Sequence, residues 1–365
     1  DFCLSRGLGD VYKRQVPPAL YGGTERVVSV LTEELVARGH DVTLFASGDS
    51  HTKATLVACS PRSLRLDPDI RDRVAPTMVE LGDVYARAAE FDVIHNHNDY
   101  LAFPFARLAQ TPTVTTTHGR LDLAEVRTVY RRFSEQPLIS ISRSQRASLP
   151  GCNWLATVSN GIDPRTYHFR AEPGQYLVFL GRMSPEKRPD RAIDIARDAG
   201  MPLIMAAKVD PVDGGYYEHA IAPLIRSSPL VEFVGEVDER QKDALLGGAY
   251  AYLFPIDWPE PFGLTMVEAM ATGTPVIAYR AGSVPEVVVP NVTGFICDSV
   301  HDMVEAVPRV RALDRRACRE HVERHFSAAA MATGYEAAYR ELLRRNDAAS
   351  QPDRTAPARA LVSAT

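Results

Sequence analysis

The chain has 365 residues, of which 45% are hydrophobic and 24% charged, with a net charge of -5. That length suffices for two ordinary domains, the composition is that of a globular protein, and the charge balance gives no sign of a nucleic-acid partner. No apolar run approaches the roughly 20 residues that span a bilayer, and five scattered cysteines (Cys3, Cys59, Cys152, Cys297, Cys318) show no disulfide or zinc spacing, which reads as reduced thiols in a cytoplasmic protein.

In chain order, "DFCLSRGLGDVYKRQ" lacks the charged-then-apolar layout of a signal peptide. It also lacks strand alternation and a helical stripe, so residues 1–15 are read as a leader foreign to the fold. From Gly23, "TERVVSVLTEELVARGH" places Val27, Val30, Leu31, Leu35 and Val36 on one helical stripe, with Gly39 as a C-terminal cap. Short apolar runs follow at "DVTLFAS", "DVIHNH", "PTVTTTH", "LISIS" and "NWLATVSNG", separated in places by helical stretches such as "TMVELGDVYARAAE". Such βα alternation predicts a parallel sheet with helices on both faces.

A linker reading for "GIDPRTYHFRAEPGQ" divides the chain into a first domain over 16–165 and a second over 166–325. The second domain repeats the alternation with strands at "YLVFLG", "PLIMAAK", "VEFVG", "AYLFPI" and "PVIAYR". A helix over 326–345 and a disordered tail over 346–365 complete the division. The fold class is α/β, two doubly wound domains facing across a cleft. Ligands of such sheets bind at the carboxyl ends of the strands.

The residues that carry chemistry cluster at those ends. In "EPFGLTMVEAMATGTPVIAY", Glu260 precedes a predicted helix near Leu264, and Glu268 lies a turn inside it. A helix start offers unpaired amides and partial positive charge, and Gly263 clears the approach of a phosphate. Without a ligand, the same acids read as a helix-start residue and a solvated face. "GRMSPEKRPD" carries Arg182, Lys187 and Arg188 at a strand end, cations suited to a pyrophosphate leaving group or, more plainly, a solvated basic loop. "YGGTERV" sets Gly22 and Gly23 at a helix start, and "TTTHGR" leaves His118 at the end of an apolar strand. His95 and His97 form an HxH pair with no further metal ligands in sight.

Taken together, "YGGTERVV", "TTTHG", "GRMSPEK" and "EPFGLTMVEAMATGTPVIAYRAGSVPEVV", in that order, make the chain resemble family 4 retaining glycosyltransferases (glycosyl transferases group 1) of the GT-B fold, from about Val16 to Arg345. The resemblance implies two Rossmann-like domains, with a C-terminal helix crossing back to the first. It implies transfer of a hexosyl group from a nucleotide-diphosphate sugar to an unidentified lipid, glycan or small-molecule acceptor, with no essential metal and no cofactor. Arg182 and Lys187 would hold the diphosphate, Glu260 the donor sugar and Glu268 the ribose. His118 would touch the donor sugar. Gly22, Gly23, Gly181 and the backbone of Phe262, Gly263, Leu264 and Thr265 would meet phosphate or sugar, and Val234 and Gly235 would lie near the base. A GT-B epimerase and a non-catalytic nucleotide-sugar-binding protein are the competing readings.

The family opens with a buried strand that this pattern lacks, which would leave an open slot costing several kcal/mol. "RTVYRRFSEQPLISISRSQR" is the one basic-rich stretch of the first domain; it reads first as a solvated face and second as peripheral contact at a membrane's inner face. Nothing signals an oligomer.

Overall fold

The computed structural model describes residues 8–11, 15–18, 22–63, 71–72 and 74–350. Two parallel sheets form two lobes. The first joins β1 (Leu8–Val11), β2 (Val42–Ser47), β3 (Thr55–Ser60), β4 (Val93–Asn96), β5 (Thr113–Thr117), β6 (Leu138–Ser140) and β7 (Trp154–Thr157) in the order β3-β2-β1-β4-β5-β6-β7. The second joins β8 (Leu177–Arg182), β9 (Leu203–Lys208), β10 (Val231–Gly235), β11 (Ala251–Phe254), β12 (Val276–Tyr279) and β13 (Gly294–Cys297) in the order β10-β9-β8-β11-β12-β13.

Each sheet is buried on both faces because successive side chains alternate between them. In the second lobe, Leu177 and Phe179 of β8 pack with Ile193 and Ala196 of the helix Pro189–Ala199. Val178 faces the other way, into a cluster with Met266, Val267 and Met270 of the helix Leu264–Ala271.

The slot expected to be vacant is filled. Leu8–Val11, inside the segment read as a foreign leader, pairs in parallel with Val42–Phe45 on one side and Val93–Asn96 on the other. Its backbone supplies the ladder partners that both neighbours need. "LGDV" is apolar only at its ends, so neither alternation nor a hydrophobic run marks it. The sheet-edge strands β3 and β13 also escape the sequence reading. β3 is at most half-buried and β13 is only four residues long.

The C-terminal helix crosses back, as the resemblance implies. Ala328–Ser350 places Met331, Tyr335, Tyr339 and Leu342 in one cluster with Val27, Leu31 and Leu35 of the first helix, Gly23–Ala37. It runs past Arg345 to Ser350, so the tail expected from 346 begins as helix; residues 351–365 lie outside the described residues. The two chain crossings between lobes touch each other, Ile162 N donating to Phe326 O (2.9 Å) and Ala328 N to Ile162 O (2.7 Å). Gly161 permits this approach, since a Cβ there would sit 2.6 Å from Ser327 O. No helix among the described residues is long and apolar enough to cross a membrane.

Candidate active site

Between the lobes lies a cleft of about 320 Å³, a volume suited to a small-molecule ligand. Its second-lobe wall includes Gly181, Lys187, Glu260, Phe262, Gly263, Leu264, Thr265 and Glu268, and its first-lobe wall includes Gly22, Gly23 and His118. Stretches far apart in sequence meet here because both sheets aim their carboxyl ends at the cleft.

Glu260 sits in a loop that is held from behind. Ser283 N donates to Glu260 O (3.0 Å) and Ser283 Oγ to Phe262 O (2.7 Å). Gly282 has φ +53°, and a Cβ on it would lie 2.3 Å from both Glu260 N and O, so only glycine fits. The carboxylate itself accepts a hydrogen bond from Lys187 Nζ. That ammonium also lies over the Trp258 ring (5.0 Å) and the Phe254 ring (5.6 Å). Immediately beyond, Gly263 (φ +77°) caps the Leu264 helix; Met266 N donates to Gly263 O (3.0 Å), while Leu264 and Thr265, whose amides stand ahead of the helical ladder, line the cleft.

Glu268 is 3% exposed, so the solvated-face reading fails. Its Oε1 accepts from Lys242 Nζ (2.6 Å) and from the Tyr167 hydroxyl (3.0 Å). Burial and then the Glu268 charge push the Tyr167 hydroxyl well above its ordinary pKa, which keeps it a donor. Lys242 also meets Glu239 (3.0 Å), and Glu239 meets Arg26 of the first lobe (2.6 Å), so a charge relay crosses the cleft. Two further contacts join the lobes. Glu286 accepts from the amides of Arg143 (2.8 Å) and Ser144 (2.9 Å), and Arg120 lies over the Trp258 ring at 5.6 Å.

On the first-lobe side, His118 Nε2 bonds His97 Nδ1 at 2.9 Å. Desolvation, and then the neighbouring His97, hold its imidazole well below the ordinary histidine range, so it stays neutral. The HxH pair belongs to this buried arrangement: His95 Nε2 meets Thr116 Oγ1 (2.7 Å) and His95 Nδ1 meets the Tyr339 hydroxyl (2.8 Å).

Three expectations need correction. Arg182 is not on the cleft wall; its guanidinium is ion-paired with Glu186 and with Asp213 (3.1 Å). Arg188 turns away too, bridging Asp190 (2.6 Å) and Asp257 (2.8 Å), with a backbone φ of +53° that starts the Pro189 helix. Val234 and Gly235 stand back from the cleft, while Glu236 and Val237 line it. A register shift that leaves Val234 unpaired in the ladder, followed by φ +76° at Gly235, ends the strand irregularly here.

The sequence reading missed several cleft residues. Glu25 and Arg26 lie inside the quoted "YGGTERV", and Lys208 ends "PLIMAAK", where the strand-end rule would have found it. Asn160, 6% exposed with its Oδ1 unpartnered among the described residues, ends the β7 run. Lys242 carries no sequence signal, being an ordinary lysine in a polar helix.

Comparisons with known proteins bear on the family and the fold. Residues 165–322 match the family model for Glycosyl transferases group 1, and residues 21–169 match that for Glycosyltransferase Family 4. The glycogen synthase of Mycobacterium tuberculosis (strain ATCC 25618 / H37Rv) is 28% identical over 338 residues, covering 78% of this chain and 80% of its own. AviGT4, a glycosyltransferase involved in avilamycin A biosynthesis, superposes with a TM-score of 0.72 at 24% identity, covering 93% of this chain and 98% of its own. Anabaena Alr3699/HepE, crystallised with UDP-glucose, superposes with a TM-score of 0.68 at 17% identity, covering 93% and 99%. Between them the two family matches span both lobes and the cleft they enclose, and the chain belongs to the group 1, family 4 glycosyltransferases of the GT-B fold.

Proposed function

We propose that the protein transfers a hexosyl group from a nucleotide-diphosphate sugar to an acceptor with retention at the anomeric carbon. The observation that carries this reading is the Lys187–Glu260 pair beside the open amides of the Leu264 helix, facing Gly22, Gly23 and His118. Ammonium and helix amides together meet the charge that builds on a departing diphosphate. Glu260 takes hydroxyls of the donor sugar, Glu268 those of the ribose, and His118 a sugar oxygen. Gly23 brings the first helix's backbone up to the phosphates. Arg182 reaches the diphosphate only by leaving Glu186 and Asp213, so Lys187 carries the larger share. HepE's UDP-glucose supports a nucleotide-sugar donor by analogy of fold.

Retention does not require the carboxylate pair of a retaining glycosidase. In a front-face displacement the bond from C1 to the phosphate oxygen breaks while the acceptor oxygen bonds C1 from the same side. The acceptor's proton passes to the leaving phosphate. Positioning and charge stabilisation then carry the rate. Donor hydrolysis across a panel of nucleotide sugars, in EDTA, followed by NMR of the anomeric product, tests this. Turnover with a retained configuration is expected. An inverted product rejects the front-face course, and nucleotide binding without turnover of any donor makes the protein a binding module.

A further inference from the structure

His97 lines no part of the cleft, yet it is the hydrogen-bond partner of His118, which does. It is 3% exposed, and its ring lies 5.2 Å from that of His118 with only 29° between the planes. On its other side the His95 ring stands 4.0 Å away. His95 is itself fixed at both nitrogens. Thr116 Oγ1 donates its single proton to the Tyr335 hydroxyl (3.2 Å), so it must accept from His95 Nε2–H. His95 Nδ1 is then bare and accepts from the Tyr339 hydroxyl. The tyrosines belong to the C-terminal helix, so that helix clamps the base of a histidine stack whose top is His118. A residue needed only to fill space there would not require three imidazoles with matched hydrogen bonds.

We propose that His97 is a positioning residue for transfer: its Nδ1–H donates to His118 Nε2, which fixes the His118 ring and leaves His118 Nδ1–H to donate into the cleft. The donor's hydroxyl and phosphate oxygens accept hydrogen bonds, and a histidine meeting them as a neutral donor must keep its proton on the nitrogen that faces them. This rests on the reading of the cleft as a donor-sugar site. What it adds is a group with no ligand contact that sets the tautomer of one that has it.

An asparagine places its amide nitrogen near the position of histidine Nδ1, whereas glutamine reaches the position of Nε2. His97→Asn should therefore keep kcat for donor turnover within about threefold of the parent, and His97→Gln should lower it at least tenfold, the scale of one positioning contact. KM for the donor and calorimetric affinity for UDP should change less than twofold in both. Equal kcat in the two variants, or losses that track KM and UDP affinity, would overturn the proposal. Nitrogen-15 histidine NMR of the unmodified full chain at pH 7, with His118 assigned by its loss in His118→Gln, gives a readout independent of activity. A single His118 tautomer protonated at Nδ1 is expected; a mixture, the Nε2–H form or an imidazolium would contradict it. A chain that turns over no donor defeats the transferase reading, while the NMR result still decides the role of His97.

Discussion

On the second-lobe side of the cleft, Glu260 and Glu268 each meet a lysine, Lys187 and Lys242, before any ligand arrives. On the first-lobe side the groups facing the ligand include two glycines and an imidazole held neutral by its surroundings. One lobe thus supplies lysine-compensated carboxylates, and the other, beside Glu25 and the Arg26 that pairs with Glu239, supplies two glycines and an uncharged imidazole. The difference teaches where each lobe is vulnerable. Removing one partner of a buried pair exposes the other's desolvation cost, whereas disturbing a neutral wall shifts geometry without creating a bare charge.

The largest effect should come from the cation itself. Lys187→Met should lower kcat about 10²- to 10³-fold, the scale of losing one preorganised stabiliser of developing charge. Arg182→Met, whose guanidinium is already committed to Glu186 and Asp213, should lose less than about tenfold by the same reasoning. Equal losses in steady-state assays would erase the distinction drawn between the two.

Next comes stability. Lys242→Met leaves Glu268 buried and should cost about 3–5 kcal/mol in denaturant unfolding, while Lys242→Met with Glu268→Gln should recover most of it. No recovery in the double variant would mean that the pair is held for another reason.

A smaller change separates strain from contact. Gly282→Ala and Gly39→Ala both place a side chain at positive φ, but only at Gly282 does the new Cβ strike Glu260, 2.3 Å away, whereas nothing lies within 4 Å at Gly39. Gly39→Ala should cost about 1–3 kcal/mol from backbone strain alone, and Gly282→Ala more, because its Cβ also meets backbone. Only Gly282→Ala should also reduce kcat, and a parallel loss at Gly39 would show that the assay reads global stability.

The mildest effect tests the neutral wall. His95 and His118 bind protons less readily folded than unfolded, where the ordinary value is 6.5. Their contribution to stability is present above that pH and is lost as pH falls below it, because the unfolded chain then takes up protons the native one refuses. Unfolding midpoints measured between pH 8 and pH 5 should fall on acidification, and less steeply in His95→Asn. An unchanged slope in that variant would remove the stack from the account.

Legibility followed the same division between lobes. The charged motifs of the second lobe announce themselves, because acids and cations at strand ends are unusual in apolar company, and Lys187, Glu260 and Glu268 fall on the cleft as read. What stayed hidden was conformational. A one-residue irregularity moved the lining from Val234 and Gly235 to Glu236 and Val237, and side-chain pairing drew Arg182 and Arg188 away. In the first lobe, four residues apolar only at their ends form an interior strand, departing from the hydrophobic run that marks most buried parallel strands. The joining of His95 to Tyr335 and Tyr339, some 240 positions away, follows from the returning helix, and no local spacing encodes it.

Calorimetric titration of UDP, GDP and ADP into the unmodified chain and into Lys187→Met tests the central claim most directly. The account predicts saturable binding of at least one diphosphate, weakened at least tenfold by the substitution, in keeping with the loss of a charge-assisted contact to phosphate. Binding of equal strength in both proteins, or to neither, would contradict it.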